Sequence, residues 1–119
     1  MKGVVLAIFA LTVFVRLHAQ DAYIKDSIKV SDIKQKYIAL YLTGSKGTSS
    51  RGIQALVDFG QNIPKGQNQS SYPPLTDGKV KFIFSSEVGF INILDRNGFD
   101  YVDRKISDLY EVLLFRRRD

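Results

Sequence analysis

Cysteine and tryptophan are absent from this chain of 119 residues, and histidine occurs once, at His18. The only methionine is Met1. Without cysteine there is no disulfide to staple the fold. Beyond residue 20 the chain also lacks histidine, so it has none of the ligands that ordinary zinc, copper, haem and iron–sulfur sites need. The parts of a Ser–His–Asp or Cys–His nucleophile are missing for the same reason. A catalyst built here would have to work with Asp, Glu, Lys, Ser or Tyr alone. No cofactor and no metal are expected.

Long apolar runs are scarce, and the one present comes first. Met1-Lys2 leads into the uncharged run Gly3–Val15, which is followed by Arg16-Leu17-His18-Ala19-Gln20. That charged, apolar, polar order is the pattern of a secretory signal peptide. A spanning helix wants about 20 apolar residues, and Arg16 closes this run too early. The expectation is a cleaved signal over residues 1–20 and a mature chain exported to the periplasm or beyond, with no transmembrane span. Removing Lys2 and Arg16 takes two of the 17 Lys+Arg away and none of the 12 Asp+Glu, so the net charge falls from +5 to +3. A charge of that size suits solubility and points only weakly to an anionic partner.

The rest reads as one domain. Residues 21–35 place Ile24, Ile28 and Ile33 at irregular spacing, which suggests a linker or a short helix. The α+β domain is expected over 36–118. In "KYIALYLTG", Tyr37, Ala39 and Tyr41 alternate with Ile38, Leu40 and Leu42, as a strand covered on both faces would. "IQALVDFGQ" alternates again after a glycine- and serine-rich connection, which predicts a hairpin. Residues 62–78 carry all three prolines and read as a long loop. "KVKFIF" restarts a strand pattern with Val80, Phe82 and Phe84 on one face.

One helix follows. Ser86 offers an N-cap hydroxyl, and Val88, Phe90, Ile91, Ile93 and Leu94 form a broad apolar stripe. Gly98 should stop it with φ > 0, and Phe99 should pack back on its last turn. Two closing strands end the chain. The expected order is β-β-(β)-α-β-β: a small antiparallel sheet of four to five strands with one helix on one face.

Three motifs carry possible chemistry. Asp58-Phe59-Gly60 matches the magnesium-holding tripeptide of protein kinases. The rest of that machinery is absent, so Phe59 reads as the end of an apolar strand face and Gly60 as a turn. Arg116, Arg117 and Arg118 form the densest charge cluster, able either to blunt a sheet edge or to meet an anionic partner. Tyr72, before Pro73-Pro74, is a candidate anchor for a partner. Asp100 and Asp103 have opposite strand parity, which argues against a carboxylate pair.

The run "KYIALYLTG…VDFGQ…LTDGKVKF…SSEVGFINILDRNGFDYVD…YEVLLFRRR", from Lys36 to Arg118, resembles a group of small exported proteins of unknown function from Gram-negative gut anaerobes. Its C-terminal half is similar to a widespread small bacterial domain whose helix ends in Gly-Trp and whose last strand ends in Phe-Lys-Arg. Phe99 stands here where Trp is common, which keeps an aromatic plug. The resemblance implies an α+β fold and export, and brings no activity with it. The reading is therefore a small exported binding or adaptor domain without catalysis, with an unknown protein or anionic envelope component as partner. Nucleic acid is disfavoured, because aromatic residues interleave poorly with the basic ones. The alternative is a small hydrolase or lyase using Asp, Lys or Tyr.

Overall fold

The structure is a computed structural model and describes residues 21–25, 27–44, 52–61, 71–106 and 110–119. The expected signal at 1–20, residue 26, the expected connection over 45–51, most of the expected long loop (62–70) and residues 107–109 lie outside them. In chain order the strands and the helix are β1 (Tyr23–Ile24), β2 (Ile28–Lys29), β3 (Tyr37–Thr43), β4 (Gln54–Asp58), β5 (Leu75–Thr76), α1 (Glu87–Arg96), β6 (Phe99–Ile106) and β7 (Glu111–Arg117). They make an α+β fold with two antiparallel sheets, one ordered β2-β1-β5 and the other β4-β3-β7-β6.

Alternation builds the larger sheet. Ile38, Leu40 and Leu42 of β3 are buried, as are Ala55 and Val57 of β4 and Leu113 and Phe115 of β7. The register puts them side by side: Leu40 lies opposite both Val57 and Leu113, and Ile38 lies opposite Phe115. Successive strand residues point to opposite faces, so one face is an apolar floor. Phe90, Ile93 and Leu94 of α1 join the same core, and the helix runs beside β6.

The helix ends as expected and starts differently. Gly98 has φ 93° and donates its N–H to the Asp95 carbonyl at 3.2 Å. Ser86 has the extended backbone of an N-cap, but its hydroxyl makes no capping hydrogen bond. Val88, expected on the buried stripe, is 54% exposed. The helix lies over the margin of the sheet, so only the inward part of its stripe meets the core.

Residues 21–35, expected as a linker or a short helix, hold more structure than that. Their described residues form two short strands and a short 3-10 helix over Val30–Asp32. Ala22, Ile24, Val30 and Ile33 are buried in the core. Buried Asn97, just past α1, accepts the Ala22 N–H at 3.1 Å and donates to the Ile93 carbonyl at 2.7 Å. Strands of two residues have no period to read, which is why the sequence pattern missed them.

The loop expected over 62–78 also carries β5, which pairs with β1. "KVKFIF" makes no ladder: Lys81 and Phe84 form isolated bridges to Thr76 and Ile53, and Val80 is exposed. β5 is too short to hold a longer partner. The outer edge of β4 is covered instead by Pro73 and Pro74. Val57 donates its N–H to the Pro73 carbonyl at 2.8 Å, and Leu56 bridges Pro74. Proline accepts at such an edge without needing to donate.

Two further expectations change. β7 lies between β3 and β6, so Arg116 and Arg117 sit on an interior strand and guard no edge. In β6 a bulge shifts the register between Tyr101 and Asp103. Asp100 then lies opposite Arg116 and Asp103 opposite Leu114, two positions of the same parity on β7. The extra residue, Val102, brings the two aspartates to one face, against the simple parity count.

Candidate functional site

The core lies on one face of the larger sheet. The other face carries Tyr37, Ala39 and Tyr41 from β3, Leu56 and Asp58 from β4, Val112, Leu114 and Arg116 from β7, and Asp100, Asp103 and Lys105 from β6. Among the described residues the segment around Tyr72 is what leans over this face. Its ring stacks on Tyr41 with centroids 5.2 Å apart and planes 20° apart. Tyr110 meets the same Tyr41 ring edge-on at 5.9 Å. Offset stacked and T-shaped pairs are the favourable arrangements of aromatic quadrupoles.

Beside this trio is an open groove of about 210 Å³ lined by Tyr37, Ile38, Ala39, Asp58, Gly60 and Leu114. Its origin is local. Ala39 lies between Tyr37 and Tyr41 on one side of β3, so a methyl stands where its neighbours carry rings. Asp58 and Leu114 are its cross-strand partners on either side. A small residue flanked by two tyrosines at strand spacing leaves a notch in the face.

Asp58 flanks the notch on the β4 side. Its Oδ1 accepts the Gly60 N–H at 3.0 Å, and Gly60 turns the chain with φ 88°. Gln61 completes the turn, accepting the Phe59 N–H at 2.8 Å and donating to the Val57 carbonyl at 3.0 Å. Phe59 packs against the core. The kinase-like tripeptide is thus a strand end with a polar turn. Among the described residues no three His, Cys, Asp or Glu side chains are grouped as a metal site.

Asp58 also acts on the tyrosines. The Tyr72 hydroxyl hydrogen-bonds to Asp58. Burial first, and then the Asp58 charge, raises the pKa of both Tyr41 and Tyr72 above the ordinary tyrosine value. At neutral pH both hydroxyls therefore keep their protons. They can donate hydrogen bonds and offer ring faces, but are poorly suited to act as nucleophiles or bases.

The arginine run does not act as a unit. Arg118 pairs with Asp95 at 2.7 Å and with Asp100, tying the end of α1 to the start of β6. Arg117 reaches the Lys34 carbonyl and lies 3.7 Å from Asp119. Arg116 is exposed on the open face, opposite Tyr37 and Asp100. The structure therefore sets Tyr72 and Arg116 on the face of the groove and gives Arg117 and Arg118 internal partners. Ser86, Gly98 and Phe99 mark the ends of α1, away from this face. Sequence reasoning missed Tyr41, Ala39 and Leu114 as site residues. The Tyr-x-Ala-x-Tyr pattern was the available signal.

No protein-family model, curated protein or solved structure matches the chain. Functional inference therefore rests on the geometry. Among the described residues no helix is long and apolar enough to cross a membrane.

Proposed function

We propose that this chain is a small exported binding module that engages a polypeptide partner through the tyrosine-walled groove on the open face of its larger sheet. Export is supported by the order of Met1-Lys2, the apolar run Gly3–Val15 and the polar stretch that follows. The likeness to small exported proteins over Lys36 to Arg118 belongs to the same proposal.

The observation that carries the binding reading is the size and lining of the groove. Sites for drug-sized ligands and cofactors run to roughly 300–1,000 Å³, and this one is about 210 Å³. A groove below that range suits a single side chain better than a whole ligand. An anchor side chain seated in a small pocket is how compact protein interfaces gain much of their affinity. Hydrolase or lyase chemistry gains less support: the tyrosines beside Asp58 hold their protons more tightly than usual, and no lysine lines the groove.

Panning a displayed peptide library tests this reading. The folded chain serves as bait, and Ala39→Arg, which fills the groove, serves as counter-selection. Peptides that bind the parent and lose the filled variant support the proposal. Peptides that bind both equally place recognition elsewhere. Melting curves of both proteins guard against reading a misfolded variant as a blocked one.

A further inference from the structure

We infer that the groove takes a cationic side chain, lysine or arginine, from the partner polypeptide, with Asp58 as its counter-charge. This deepens the binding reading above and rests on it. The first ground is the groove itself. Ala39, Leu114 and Tyr37 form an apolar surface suited to an alkyl stem, and the lining carries a single carboxylate, Asp58. Long cationic side chains bury their methylenes on such surfaces while the charged head stays at a polar end.

The second ground is pairing. Asp21, Glu87, Asp95, Asp100, Glu111 and Asp119 each lie within ion-pair distance of a Lys or Arg. Among the described residues Asp58 has no such cation, although it is half-buried. Its bonds come from the Gly60 N–H and the Tyr72 hydroxyl, both neutral donors. A carboxylate accepts at about four lone-pair positions, so capacity remains for an ammonium or guanidinium.

The third ground is local charge. The chain as a whole is positive, yet Asp58 is the one charged residue of the groove lining. Elsewhere on the open face Asp100 is already paired with Arg118, and the bulge at Val102 brings Asp103 to the same side. Tyr37, also in the lining, is 47% exposed, and a tyrosine ring face can attract a cation. An anionic side chain would meet the opposite: a carboxylate in a cleft with no donor cation.

The test uses short acetylated, amidated tripeptides with a central lysine, arginine, norleucine or glutamate, titrated into the isotopically labelled mature chain. Backbone amides of Ala39, Gly60 and Leu114 report binding at the groove. The lysine and arginine peptides should shift them saturably, and norleucine, which keeps the stem and drops the charge, should bind at least about tenfold more weakly, the loss of one charge-assisted bond. Asp58→Asn, which preserves shape, should remove that preference, and Tyr72→Phe should leave most of it. The inference fails if norleucine or glutamate binds as well as lysine, or if Asp58→Asn leaves the preference intact; binding at the groove would then still stand. If no peptide moves these amides and panning returns nothing that depends on the groove, the binding reading fails as well. Panned sequences without an enriched Lys or Arg would overturn the cationic class alone.

Discussion

Two glycines of one helix region separate backbone freedom from packing. Gly98 has φ 93°, and a Cβ built there would meet nothing within 4 Å. The cost of Gly98→Val is then purely conformational, about 1–2 kcal/mol for a side chain in left-handed backbone. An unchanged melting temperature would show that the helix end relaxes freely. Gly89 sits inside α1 with ordinary φ, and there a Cβ would lie 2.4 Å from the Phe84 ring. Helix propensity alone predicts that Gly89→Ala gains up to about 1 kcal/mol. Overpacking costs about 1–3 kcal/mol, and the clash reaches Phe84 Cβ at 2.9 Å, too near the backbone for a rotamer change to relieve it. Net destabilisation is expected by thermal melting, and stabilisation would mean that Phe84 moves aside. At Asp58, Asn keeps an acceptor for Gly60, so Asp58→Asn should change stability little, and magnesium should leave the melting temperature of both proteins alone. A magnesium-dependent rise abolished by the mutation would revive a metal role. Tyr41 and Tyr72 add a pH effect. Their folded pKa values lie above the unfolded one, so their share of stability is whole below about pH 10 and is lost as pH rises through the folded values. In Tyr72→Phe the alkaline loss of stability should be shallower than in the parent, measured by denaturant titration across that range. Equal slopes would refute a raised pKa for Tyr72.

At the scale of elements, short pieces are held by side chains rather than by ladder length. β1 and β2 have two residues each, yet Ala22 and Ile24 are fully buried. Asn97 is the link, joining the Ala22 N–H to the last turn of α1. Asn97→Ala should leave a buried N–H without its partner and cost about 1–3 kcal/mol. Hydrogen exchange should locate the loss, with the amide of Ala22 deprotected first. Loss of protection spread evenly over β3 and β7 would argue that Asn97 supports the whole core instead. β6 has a comparable dependence on its bulge. The shifted register turns Arg104 to the core face opposite Leu113, where it pairs with Glu87 of α1 at 2.9 Å and approaches Glu111 at 3.6 Å. The same shift sends Asp103 to the open face. One extra residue thus sets both a helix-to-sheet tie and which acids of β6 share the open face.

The whole molecule is a four-stranded sheet covered on one face. The cover is composite: α1 on one side, and the smaller sheet with the 3-10 turn on the other. A chain beginning at Lys36 would match the domain read from the sequence, but would discard Ala22, Ile24, Val30 and Ile33 from the core. Loss of one large buried aliphatic side chain costs about 2–5 kcal/mol, and total stabilities are about 5–15 kcal/mol. The shortened chain should therefore fail to fold cooperatively, seen as collapsed amide dispersion. A sharp unfolding transition for it would prove residues 21–35 dispensable. Among the described residues the other face is only partly covered, by the segment around Tyr72, and that is where Tyr37, Tyr41, the groove and Asp58 lie.

Periodicity and turn chemistry were enough to specify β3, β4, α1, β6 and β7, because each is long enough to repeat its pattern, and β3, β4 and α1 are followed by a glycine with positive φ, Gly44, Gly60 and Gly98. The α+β class followed from those elements and their order. Composition by itself removed cysteine and histidine chemistry beyond residue 20. Only tertiary structure decided the rest. Two-residue strands gain their stability from partners distant in sequence, as β1 does from β5, so nothing local announces them. A bulge depends on the neighbouring strand, so the parity of Asp103 could not be counted along β6 alone. Arg118 is tied down by acids far away in sequence. The groove exists because strands distant in sequence set Asp58 and Leu114 beside Ala39, a juxtaposition fixed by cross-strand register and not by any residue's own preference.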